Sequence, residues 1–188
     1  MKRQTGFTLT ELLVVTAIVA ILLGIGVPSY KYITYSYRMS AELNSLVGDL
    51  MYARAEAIKE GQPVAICTSA NGLTCSGVTS WQGGWIVFPD PAGGGAADVP
   101  GSILHVQQPF TGTDTLTSPN NPVSSVLFNR EGFAQGVGAG AAFAATQYDL
   151  KDATANNQWT RCISISAQGM IQIESAAVPT ANFPGACP

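Results

Sequence analysis

The sequence predicts an α+β chain, in which one long N-terminal α-helix, half transmembrane and half amphipathic, packs on an antiparallel β-sheet or sandwich head. Three observations carry that expectation. Charged residues are only 11% of the 188, against about 25% in ordinary soluble domains, and the deficit is concentrated near the N-terminus. Directly after that stretch, apolar residues recur at three- and four-residue steps. Beyond Gly61 the chain becomes a series of short apolar or β-branched runs separated by Gly, Pro, Asn and Ser, the punctuation of antiparallel strands.

The first element runs from Phe7 to Val27, FTLTELLVVTAIVAILLGIGV, with Glu11 as its single charge. A helix of this length rises about 1.5 Å per residue and spans a hydrocarbon core of about 30 Å. Lys2 and Arg3 precede it and favour a cytoplasmic N-terminus, although Lys31 and Arg38 beyond it weaken the charge asymmetry. A secretory signal peptide would show a shorter apolar region followed by a small-x-small cleavage site. Here the small residue, Gly6, stands before the apolar run, and the run continues into a second helical stretch.

The residues Gly6-Phe7-Thr8-Leu9-Thr10-Glu11 after a short basic leader resemble the prepilin peptidase site of type IV pilins and type II secretion pseudopilins. That resemblance implies cleavage between Gly6 and Phe7 by prepilin peptidase, followed by N-methylation of Phe7. It also implies a role for Glu11. A carboxylate inside an apolar span costs on the order of 2 to 4 kcal/mol unless paired or near an interface. By the resemblance it is neutralised in the filament by the α-amino group of a neighbouring subunit's Phe7. Gly24, Gly26 and Pro28 place three helix-weakening residues within five positions, so a kink or local melting is expected there.

From Ser29 to Glu60, Leu43, Leu46, Val47, Leu50, Ala53 and Ala57 form one stripe, with Glu42, Asp49, Arg54, Glu56 and Lys59 largely off it. Gly61 followed by Pro63 supplies a C-terminal stop. Tyr30, Tyr32, Tyr35 and Tyr37 cluster just past the apolar span, where aromatic rings suit a headgroup interface. The expected organisation is a leader at 1–6, a transmembrane or filament-core helix at 7–28, its amphipathic half at 29–62 and a β-rich head at 63–188.

Candidate strands in the head are Val64–Thr68, Trp85–Phe88, Ile103–Gln107, Ser125–Asn129 and a pair within Cys162–Ile173 that turns at Gln168-Gly169. Pro89–Pro100, Thr111–Pro122 and Gly136–Gly140 read as loops. Cys67 and Cys75 enclose Asn71-Gly72, so a hairpin would bring them within disulfide range; Cys162 and Cys187 then remain to tie the tail from Val178 to Pro188 to a strand. Three connectivities are open in principle, and these local ones are expected.

The order of Cys67 and Cys75, Trp81-Gln-Gly-Gly-Trp85-Ile-Val-Phe88, Leu127-Phe128 with Gly132, and the Cys162 strand with Gly169 is similar to the FimT/FimU/GspH group of minor pilins and pseudopilins. Within it, Trp81 and Trp85 are expected as packing anchors. The group implies a minor pilin of a pilus initiation or tip complex, with a minor pseudopilin of a type II secretion system as the alternative. Its expected partners are other major and minor pilins or pseudopilins, prepilin peptidase and the inner membrane, and its expected location is a single-pass inner membrane protein with a periplasmic head that passes into the pilus.

Other function classes find less support. Some FimT-type pilins bind DNA through Gly-Arg-x-Arg; the matching positions here are Gly169-Met170-Ile171-Gln172, the tail from Cys162 onward has no basic residue, and the formal charge is -3. Phosphate neutralisation is therefore not available there, and only the scattered Arg130, Lys151 and Arg161 remain. DNA is not expected as a partner. His105 is the only histidine, no nucleophile elbow or metal-spaced set is present, and Asp114 with Asn120 and Asn121 matches no calcium loop. No enzyme activity, cofactor or metal is expected.

Overall fold

The computed structural model describes residues 6–95, 102–119, 122–137, 145–176 and 187. Lys2, Arg3, Asn120, Asn121 and nearly all of the tail from Val178 lie outside the described residues, as do residues 96–100 and 138–140 of two expected loops. The chain divides into two units, residues 1–38 and 39–188. One helix, α1 (Leu9–Glu60), runs through the boundary. It ends where expected, with Gly61 at φ 65, the left-handed conformation that a residue without Cβ adopts at low cost.

In one respect α1 departs from the sequence expectation. Of the kink or local melting expected there, the melting is absent: α1 is helix through Gly24, Gly26 and Pro28. A proline inside a helix removes one backbone donor, whereas melting a turn around it would free several more donors and acceptors. In an all-apolar stretch those groups have no side-chain partners to turn to, so a single missing bond is the smaller loss.

Among the described residues the second unit holds nine strands, all paired antiparallel, in two sheets. β1 (Val64–Thr68), β2 (Trp85–Pro89), β3 (His105–Gln107), β5 (Ser125–Phe128) and β6 (Ala134–Val137) form a sheet of order β3-β2-β1-β5-β6. β4 (Thr115–Thr117), β7 (Ala145–Lys151), β8 (Arg161–Ser166) and β9 (Ile171–Ser175) form the other, ordered β4-β7-β8-β9. The expected strands are present, the third beginning two residues later than expected. Three strands are additional. β4 lies inside the expected loop Thr111–Pro122, Gly136 of the expected loop Gly136–Gly140 belongs to β6, and β7 was not foreseen.

The central strands β1, β2 and β5 of the five-stranded sheet are buried on both faces, which explains runs such as Trp85-Ile-Val-Phe88 that are apolar without alternation. Val64, Ile66, Trp85, Val87, Val126 and Phe128 face one way and join Leu43, Leu46, Leu50, Ala53 and Ala57 of α1 in a large core. Ala65, Cys67, Ile86, Phe88 and Leu127 face the other way into a smaller one, covered by Cys75, Ile103 and Val106. Leu116, Tyr148, Leu150, Ile163 and Ile165 carry the large core into the second sheet. Trp81 links the two, its ring 6.3 Å from Trp85 and 5.2 Å edge-on from Tyr148, and its indole N–H donates to the Val123 carbonyl at 3.1 Å. Burial alone pushes the Tyr148 hydroxyl far above its usual range. Both disulfides are local: Cys67 with Cys75, Cα atoms 5.6 Å apart, and Cys162 with Cys187, 5.8 Å apart.

Arg54 fixes the α1 side of this assembly to two turns. Its Nε donates to the Gly132 carbonyl at 3.0 Å in the β5–β6 turn, and its Nη2 donates to the Gln168 carbonyl at 3.1 Å in the β8–β9 turn. Gly132 and Gly169 both have positive φ, and a Cβ on either would come within about 3.0 Å of the Arg54 guanidinium. Replacing Arg54 by Ala is expected to lower head stability by about 2 kcal/mol, since it removes two hydrogen bonds from a charged donor and leaves the Gly132 carbonyl partly buried. Arg54→Lys should recover no more than about half, because an ammonium lacks the planar fork that reaches both carbonyls. Urea unfolding of the disulfide-bonded head measures both; wild-type stability in Arg54→Ala would remove the bracket from the account.

Candidate functional site

Among the described residues, none of the most apolar window of α1 is buried, and Phe7 is 85% exposed, with Leu12, Leu13, Ile21, Leu22 and Ile25 similarly open. Isolated apolar side chains at a surface need no explanation, but a whole helix of them does. Lipid or another apolar surface has to cover it.

Gly6 and Phe7 precede the helix in irregular backbone, and no atom lies within 4 Å of where a Gly6 Cβ would stand. Helix α1 opens with a capping box that the sequence carries as Thr8-x-x-Glu11. The Glu11 amide donates to Thr8 Oγ1 at 3.3 Å, and the Thr8 amide donates to Glu11 Oε2 at 3.4 Å. The Thr8 hydroxyl lies 3.3 Å from the same carboxylate oxygen and 3.2 Å from the Thr10 hydroxyl. Glu11 thus sits at the positive end of the helix, with the Phe7 main chain immediately ahead of it. Sequence reasoning gave Glu11 an intersubunit role and overlooked this local one, although the serine/threonine-to-glutamate spacing was there to be read.

Tyr30, Tyr32, Tyr35 and Tyr37 are all exposed on α1, and the Arg38 guanidinium lies 5.0 Å from the Tyr35 ring centre. Trp81 and Trp85 are fully buried, as their expected anchoring role requires. The Trp85 indole N–H donates to Asp49 Oδ2 at 2.7 Å, and His105, 46% exposed, faces the other oxygen of Asp49 at 3.5 Å. The single histidine is therefore engaged between the helix and the edge strand β3.

The basic residues that might have formed a patch are each taken up locally. Arg130 pairs with Glu131 at 2.8 Å, Lys151 lies 3.7 Å from Asp149, and Arg161 donates to the Gln158 and Thr160 carbonyls and to Ser175 Oγ. At the β8–β9 turn, Met170 and Gln172 point to solvent. Asp114 is buried, and among the described residues no group of His, Cys, Asp and Glu is arranged to hold a metal ion.

Two protein-family models match the sequence: a prokaryotic N-terminal methylation motif over residues 1–27, and type II transport protein GspH over residues 42–169. Two crystal structures of the type IV minor pilin FimU from Pseudomonas aeruginosa (strain PAO1) share the fold. One is 20% identical, covering 76% of this chain and 95% of that one with a TM-score of 0.53. The other is 19% identical, covering 81% and 97% with a TM-score of 0.56. A match to the methylation motif that takes in the start of an exposed apolar helix, joined to a two-sheet head that the GspH model spans over most of its length, places this chain in the GspH family of type IV pilin-like minor pilins and pseudopilins.

Proposed function

We propose that the protein is a minor type IV pilin, a non-enzymatic subunit of the pilus initiation or tip complex. It waits as a single-pass inner membrane protein with a periplasmic head, and then enters the filament. The observation that carries this reading is the uncovered apolar length of α1 directly behind Gly6-Phe7. Such a surface is stable in lipid and equally stable against other helices of its kind, so one segment serves both the waiting and the assembled subunit. Prepilin peptidase cuts between Gly6 and Phe7 and exposes a new α-amino group, which is then methylated. A neighbouring subunit's ammonium at that position meets Glu11, and a pair in low dielectric both favours association and sets axial register.

The match to the GspH model favours a second reading, a minor pseudopilin of a type II secretion system. Deleting the gene in its native host separates the two. Loss of surface pili with normal protein secretion supports the pilin; loss of secreted proteins with normal pili supports the pseudopilin.

Three outcomes are expected. Cleavage removes Lys2 and Arg3, leaving seven basic and twelve acidic side chains and a formal charge of -5; N-terminal mass spectrometry should find methylated Phe7 in the wild type and a retained leader when Gly6 is replaced by a bulky residue. Glu11→Val should insert as well as wild type or better, because it removes a costly group from the apolar span, yet fail to assemble; full complementation of a deletion would leave the proposed ion pair without a role. The oxidised head from Ser29 onward should bind duplex DNA no better than about 10⁻⁴ M at physiological salt, since its charge is net acidic and no basic residue follows Arg161. Micromolar, salt-sensitive retardation in a gel-shift titration would instead indicate a role in DNA uptake.

A further inference from the structure

Each disulfide joins a buried cysteine on a strand, Cys67 of β1 or Cys162 of β8, to a half-buried one outside the strands, Cys75 or Cys187. A small thiol therefore reaches Cys75 or Cys187, and the electron pair of the broken bond leaves on Cys67 or Cys162. Access and desolvation are alike in the two bridges. What differs is the surroundings of the leaving sulfur. Directly across the strands Cys67 faces Ile86 and Ser125, whereas Cys162 faces Asp149 of β7 and Glu174 of β9. Cross-strand partners share a sheet face, with Cβ atoms about 4.5–5.5 Å apart. Asp149 and Glu174 are both buried, so water screens neither from the sulfur. Among the described residues, the cation on this face is Lys151, 3.7 Å from Asp149, and the β4 residues in line, Thr115 and Thr117, carry no charge. Arg161 is next to Cys162 on β8 and so belongs to the opposite face, where it donates to Ser175 Oγ.

We propose that the two bridges open in a fixed order towards a thiol reductant: Cys67–Cys75 is the responsive one, and Cys162–Cys187 is protected by Asp149 and Glu174 on either side of Cys162. In the first step a thiolate forms a mixed disulfide with Cys187 Sγ while the Cys162–Cys187 bond breaks and its electron pair leaves on Cys162 Sγ. A second thiolate then releases Cys187 and departs as the oxidised thiol dimer; the two protein sulfurs gain two electrons and take their protons from water. The thiolate formed at Cys162 lies between two carboxylates in a water-excluded place, which makes it a poor leaving group, while the one formed at Cys67 meets no charge across the strands. Opening of Cys67–Cys75 also stays local. The Ser69 hydroxyl donates to the Thr74 carbonyl at 2.7 Å, the Thr74 amide to Asn71 Oδ1 at 2.9 Å and the Ser76 amide to the Thr68 carbonyl at 2.7 Å, so the loop keeps its own bonds when the bridge is gone.

The test treats the oxidised full-length chain in detergent micelles with β-mercaptoethanol, alkylates free thiols at intervals and reads each cysteine by peptide mass spectrometry. In the wild type, Cys67 and Cys75 should be labelled at least about tenfold faster than Cys162 and Cys187. Glu174→Gln should speed labelling of Cys162 and Cys187 severalfold and leave the Cys67–Cys75 rate, an internal gauge of an intact head, unchanged. Lys151→Gln separates electrostatics from packing: it removes the cation that offsets Asp149 and should slow the opening of Cys162–Cys187 further, whereas a merely loosened sheet would open faster. Equal rates for the two bridges in the wild type, earlier opening of Cys162–Cys187, no change in Glu174→Gln, or faster opening in Lys151→Gln would each overturn the protective role.

Discussion

An apolar helical surface that none of the described residues covers is the constraint from which the other features follow. Twenty-one residues with one charge cannot rest in water, since each buried methylene contributes roughly 0.8 kcal/mol to leaving it. Membrane anchoring and the proposed association with other pilin-like helices are two answers to the same solvation problem. That helix α1 continues through Gly24, Gly26 and Pro28 fits this economy. In surroundings without water, an intact ladder with one bond missing is favoured over a melted turn.

Below the apolar segment the same helix becomes the spine of the head. Its buried stripe, from Met39 through Leu43, Leu46, Leu50, Ala53 and Ala57, supplies the common core of both sheets. Its polar residues are not idle around that stripe. Asp49 accepts the Trp85 indole N–H from the five-stranded sheet, and Arg54 reaches one turn in each sheet. Helix α1 is therefore tied to both sheets through directional bonds as well as through packing.

How much of this the sequence disclosed depended on whether the signal was local. The helix, the strands Val64–Thr68 and Trp85–Pro89, and the turn at Gln168-Gly169 are legible because apolar runs and glycine punctuation lie within a few residues of one another. β7 escaped because its pattern is Thr-Gln-Tyr-Asp-Leu with both faces buried; the Gln147 side-chain amide donates to Asp149 Oδ1 at 2.7 Å on one face while Tyr148 and Leu150 enter the core on the other. β4 is three residues long at a sheet edge inside a turn-rich segment, too short to show a period. The role of Arg54 could not be read locally, because its two acceptors lie 78 and 114 residues away. The Thr8–Glu11 box was local and readable, and was obscured only by the attention its glutamate attracts.

Placing a photo-crosslinking residue at Leu13 or Ile21, both exposed on α1, tests most directly what covers this surface. In cells where the assembly system is intact, the account predicts cross-links to the apolar helices of other pilin-like subunits, and in cells lacking those subunits it predicts cross-links to lipid. Cross-links to lipid alone in both strains would contradict it, since α1 would then be a permanent anchor and not a packing surface.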